Sequence, residues 1–142
     1  MKEALQARIE QERLKAQFAW RVLPNEISAD LERHLSQHPG KINVQYVAND
    51  PEALYFAIQF ANIFVNAKWE VQMLAMQIAG TAIFGIWIPD SPSPDTAIAR
   101  DAFGAARIGF SSDVLPRGGI GFGGAIENAA ILFVGSKVIP QQ

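Results

Sequence analysis

Gly119, Gly121 and Gly124 spell GxGxxG within residues 117–135. In a dinucleotide fold that spacing follows a strand and opens a helix. The helix N-terminus then meets the pyrophosphate, and an acidic residue lies about 20 positions further on. Here the order is reversed: the glycines follow a helical pattern, lead into an apolar strand, and no Asp or Glu follows Glu127. They read as a long glycine-rich connection. His34 and His38, the only histidines, stand at i,i+4, a spacing that can present two imidazoles to one metal. Glu32 falls on another helix face and no third ligand is evident in sequence, so they read as two surface histidines near a helix end. No GxSxG is present, and the serines have no histidine at motif spacing. Asp90, Asp95, Asp101 and Asp113 read as solvated charges near loops and helix ends.

One binding site follows from chain order. In open α/β sheets, ligands settle beyond the carboxyl ends of the strands. Those positions carry Asn49, Asp50, Asp90, Ser91, Ser136 and Lys137. Parallel strands would bring them together, with Lys137 holding an anion and Asn49 and Ser91 orienting it. Asp50 and Asp90 would repel a phosphate.

Composition narrows the classes. The 142 residues are 49% hydrophobic and 18% charged, the balance of a globular domain and not of a disordered chain. A net charge of −2 supplies no field for nucleic acid, and the arginines form no stripe. The absence of cysteine removes disulfides, thiolate nucleophiles and thiolate metal sites. The N-terminus alternates charges and has no apolar core of a secretory signal. Val71 to Pro89 holds no charge, but Gln72, Gln77, Gly80 and Thr81 interrupt it. Two buried strands joined by a loop describe it better than a membrane span.

The elements that must position these residues follow from periodicity. Residues 2–18 read as a charged helix with a thin apolar set, Leu5, Ile9, Leu14 and Phe18, which either lies on its own domain or serves as a stalk or dimerising arm. Ile27, Leu31 and Leu35 mark a short amphipathic helix ending at Pro39-Gly40. Ile42, Val44 and Tyr46 alternate with Asn43 and Gln45 as in a strand with one covered face. Asp50-Pro51 supplies an N-cap and a first-turn proline for a helix over 51–67. On that helix Tyr55, Gln59, Asn62 and Asn66 share one stripe, and the apolar arc fills well over half the circumference. Phe56, Phe60, Ile63 and Phe64, at the far side of the arc, need cover from the N-terminal helices or from a second copy. Strands EVQMLA and AIFGIWI follow, then the proline loop PDSPSPD, a helix ending near Gly109, the glycine-rich connection, and a last strand, AAILFV.

Several short motifs stand in a recognisable order along the chain. They are Arg21-Val22-Leu23 before a short helix, Asp50-Pro51-Glu52-Ala53 opening a helix, and Ala67-Lys68-Trp69-Glu70-Val71 leading into a strand. Gly85-Ile86 and Val134-Gly135-Ser136-Lys137 complete the set. Over roughly Arg21 to Val138 this pattern resembles a small α/β domain of uncharacterised bacterial proteins. That domain is often the soluble C-terminal part behind membrane helices or a helical stalk. The resemblance implies a module beside a membrane or an assembly, with no assigned reaction. Lys68 stands where such domains often have glycine, and a charged helix, not a membrane segment, precedes the domain here.

The expected fold is a layered α/β sandwich with a mostly parallel or mixed four- to five-stranded sheet, preceded by N-terminal helices. Residues 1–20 form the charged helix and 21–142 a single domain. The expected role is a non-enzymatic interaction or assembly module that self-associates through helix 51–67, with Phe56, Phe60, Ile63 and Phe64 as the interface. The alternative is a small-molecule sensor with its site at the strand ends. The expected partners are a second copy of the chain or a membrane-associated protein, not nucleic acid, and no cofactor or metal is expected. The expected setting is soluble, in the cytoplasm or at a membrane surface.

Overall fold

Asp50 performs the expected start of the central helix. In the computed structural model its Oδ1 accepts from the Ala53 amide at 3.1 Å, with Pro51 in the first turn. The structure describes residues 4–11, 19–78, 82–115, 119–121 and 124–138. Residues 4–11 are helical (α1). After them come α2 (Asn25–Ser36), β1 (Lys41–Val47), α3 (Pro51–Asn66), β2 (Glu70–Ile78) and β3 (Ile86–Trp87). The remaining elements are α4 (Asp95–Ala105), β4 (Gly119–Gly121) and β5 (Ala130–Val134).

The five strands form one mixed sheet in the order β3-β5-β1-β2-β4. The three central strands are parallel, β1 pairing with β2 and with β5. The two outer strands are antiparallel, β3 to β5 and β4 to β2. The register sets Ile42 beside Val71 and Ala130, and Val44 beside Met73 and Leu132. These residues share one sheet face; α3 and α4 pack on it, and α2 packs on both α3 and α4. Leu31, Leu35, Phe60, Phe64 and Phe103 from the helices meet Ile42, Val44, Leu132 and Val134 from the sheet in the core.

The opposite face carries Asn43, Gln45, Gln72 and Ile131. Asn43 is buried there and pairs with one backbone unit: its Nδ2 donates to the Ile126 carbonyl and its Oδ1 accepts from the Ile126 amide, both at 2.9 Å. The side chain thus imitates a strand neighbour and holds the segment before β5 against the sheet.

Two sequence expectations change. AIFGIWI is not a continuous strand, because Gly85 at φ 83° breaks it, leaving a bridge at Phe84 and a two-residue strand. The connection after α4 is not wholly loose, because Gly119–Gly121 pairs antiparallel with Met76–Ile78 as an edge strand.

Helices α3 and α4 end in the same way. The Trp69 amide donates to the Phe64 carbonyl and the Lys68 amide to the Val65 carbonyl, both at 3.0 Å. Ile108 donates to Phe103 at 2.9 Å and Arg107 to Gly104 at 3.1 Å. Both sets are Schellman caps, which place one residue in the left-handed region. The residues there are Lys68 (φ 70°) and Arg107 (φ 62°), where glycine is usual. The cap contact is supplied by Trp69 on the Phe64 ring, centroids 5.1 Å apart. Helix α4 therefore stops at Ala105, ahead of the expected end at Gly109.

Candidate interaction face

The four residues expected at an interface lie inside the chain. Phe60 and Phe64 have no exposed surface, and Phe56 and Ile63 are buried. Phe60 stacks on Phe103 of α4 with centroids 5.4 Å apart, and Phe56 meets Phe60 edge-on at 4.9 Å. The wide apolar arc of α3 is used twice, against the sheet and against α2 and α4, so these aromatics are core and not contact surface.

The outer side of α3 is a different set. Leu54, Tyr55, Ile58 and Val65 recur at helical spacing on the exposed side. Trp20 of the preceding linker lies beside them, its ring 5.4 Å from Tyr55, and the exposed Val22 follows on the same linker. These six are between 36% and 63% exposed, and they make up most of the large exposed apolar residues of the described domain. Between them stand the neutral Asn62 and Asn66. The only charged residue of α3 is Glu52, which is buried and neutralised by Arg21. The sequence carried this signal in the near-absence of charge over 51–66, since a solvated helix face is normally rich in Lys and Glu. Arc width alone did not show which apolar residues would remain outside.

The linker is fastened to α3 by polar contacts that turn Trp20 and Val22 outward. Arg21 Nη2 lies 2.6 Å from Glu52 Oε1 and Nε 2.8 Å from Oε2, a two-pronged pair, and Nη2 also donates to the Gly135 carbonyl at 2.7 Å. The guanidinium sits 4.5 Å over the Phe56 ring. Gln59 accepts from the Leu23 amide at 2.8 Å and donates to the Arg21 carbonyl at 2.9 Å. Gly135 also lets the backbone at Ile83 approach closely, since a Cβ there would lie 2.5 Å from the Ile83 carbonyl oxygen.

The expected strand-end site divides into two. Asp50 and Ser136 do converge, Ser136 Oγ donating to Asp50 Oδ2 at 2.6 Å, with Asn49 in the adjoining turn. Lys137 Nζ donates to the Ala19 carbonyl and so faces the linker. Asp90 and Ser91 lie at the other end of the sheet: Asp90 pairs with Arg100 at 2.9 Å, and Ser91 Oγ donates to the Ala129 carbonyl at 2.8 Å. The reason is the direction of β3, which runs antiparallel to β5 and delivers the residues after it to the start of β5. These six residues therefore form no common site.

Two clefts remain. One of about 540 Å³ lies on the sheet face that carries Asn43, lined by Gln45, Asp90, Ser91, Glu127, Asn128 and Ile131 among others. A smaller one of about 240 Å³ lies between α2 and α4, where His34 and His38 face Asp101. Among the described residues no three metal-ligating side chains are grouped to hold an ion. The GxGxxG glycines meet no helix N-terminus: Gly119 and Gly121 are in β4, and the next element after Gly124 is β5. Among the described residues no helix is long and apolar enough to cross a membrane. No protein-family model, curated protein or solved structure matches the chain.

Proposed function

We propose that the chain is an assembly module that binds a second copy of itself through the outer face of α3 and the linker before it. The observation that carries this reading is the cluster of Trp20, Val22, Leu54, Tyr55, Ile58 and Val65 on one side of the molecule, with no uncompensated charge on α3. Contiguous apolar surface of this kind marks interaction sites, and interface centres are depleted of charge and enriched in Trp and Tyr. Neutrality favours a second copy as occupant. A strongly basic or acidic partner finds no opposite charge here, whereas a self-complementary contact about a two-fold axis meets no repulsion.

Sedimentation velocity over a concentration series tests the reading. The parent chain should show a concentration-dependent dimer, and the double substitution Ile58→Asp with Val65→Asp should give a monomer that keeps the folded circular-dichroism spectrum of the parent and a melting temperature independent of concentration. A parent chain that stays monomeric at high micromolar concentration, or a dimer indifferent to both substitutions, overturns it.

A further inference from the structure

Resting on that reading, we infer that the element of the second copy seated on this face is its helix α1, so that two chains exchange N-terminal helices. Every residue of α1 from 4 to 11 is exposed, including Leu5 and Ile9, which lie i,i+4 on one side. An isolated helix of this length is not stable in water and needs an apolar surface. Among the described residues none of its own chain buries it. The α3 face is the uncovered apolar helical surface at the point where the linker leaves the domain.

Geometry favours exchange. Arg21 and Gln59 fix the linker on α3, so the chain departs from the rim of the face at Trp20. Ten residues stand between Ile9 and Trp20; at a helical rise the eleven steps from one to the other cover about 16 Å. α3 itself has 16 residues, about 24 Å of helix. An arm of that reach laid along the partner's α3 brings Leu5 and Ile9 against Ile58 and Val65. Each copy gives one helix and receives one, which closes the contact at two chains. The mixed charges of α1, Arg8 and Glu10 among them, stay at the wet rim while its apolar side meets the neutral face.

The cysteine-free chain makes the test direct. Ile9→Cys and Ile58→Cys are prepared as separate proteins, both at exposed positions, then mixed and mildly oxidised. A disulfide between the two different chains is expected, with little cross-linking of either variant alone. In the otherwise native chain, Leu5→Asp with Ile9→Asp should raise the dimer dissociation constant about a hundredfold and leave the melting of the domain unchanged at concentrations where the parent is monomeric. Efficient cross-linking of Ile58→Cys with itself would mean that α3 meets α3, which overturns the exchange but not the assembly reading. An intrachain disulfide in the double-cysteine variant at monomer mass would place α1 on its own chain and overturn both. A parent dimer whose affinity ignores Leu5→Asp and Ile9→Asp overturns the exchange alone.

Discussion

Replacing Lys68 by glycine should stabilise the protein, and the size of the gain follows from the cap at the end of α3. Lys68 holds φ 70° because the Schellman hydrogen bonds from Trp69 to Phe64 and from Lys68 to Val65 require a left-handed residue there. An L-residue in that region costs about 1–2 kcal/mol through the clash of its Cβ with the following carbonyl. Glycine removes the clash but loses about 0.5–1 kcal/mol through the greater freedom of its unfolded chain. The net gain is about 0.5–1 kcal/mol. With 142 residues the unfolding entropy near 60 °C is about 0.3 kcal/mol per degree, so the melting temperature should rise about 2–3 °C. Lys68→Ala is the control: it discards the same charge near the negative end of the helix but keeps the strained backbone. Calorimetry or circular-dichroism melts of the three proteins isolate the backbone effect as the difference between glycine and alanine. Should the glycine variant melt no higher than the alanine variant, the left-handed cap is not where the strain lies.

Arg107→Gly at the end of α4 should raise the melting temperature by a similar amount, measured against Arg107→Ala. Asn43→Ala leaves the Ile126 amide and carbonyl without their partners, and should cost about 1–3 kcal/mol; hydrogen exchange should report loss of protection at the Ile126 amide, and retained protection would count against the clamp. Gly135→Ala drives a Cβ to 2.5 Å from the Ile83 carbonyl oxygen and should lower the melting temperature, which thermal denaturation checks. Phe60→Ala should cost about 3–5 kcal/mol in urea titration, whereas Ile58→Asp should change stability by no more than about 0.5 kcal/mol. Equal effects of the two would contradict the division of α3 into an inner and an outer face.

Local chemistry explains which parts of this architecture could be read from the chain. Asp50-Pro51 announces a helix start because the cap and the proline act within one turn. The alternation of Ile42, Val44 and Tyr46 announces a strand with one apolar face, but not that Asn43 on the other face is buried under the segment before β5. Non-local choices left no such mark. Whether the residues after β3 join Asn49 or Ala129 depends on strand direction, and nothing within PDSPSPD specifies it. Helix α3 misled for a related reason: its arc reports how much surface must be covered, and α2 and α4 from distant parts of the chain decide where. The end of α4 was misplaced because Gly109 looks like the usual cap residue, while Arg107 occupies the left-handed position instead.

The order β3-β5-β1-β2-β4 has a consequence for biosynthesis. β5 is the last of the five strands to be made, yet it sits in the interior of the sheet, between β3 and β1. Until it leaves the ribosome, β1 has one side unpaired, and β3 has only its bridge to Ser111. The helices meanwhile have only part of their sheet to pack on. Parallel pairing across so long a separation is slow to form, so the nascent chain must pass through a state with an open central strand and exposed aromatics. The domain should therefore close in one late step, when Ala130–Val134 slides in beside β1, and a chain cut before that strand should bind chaperones rather than fold.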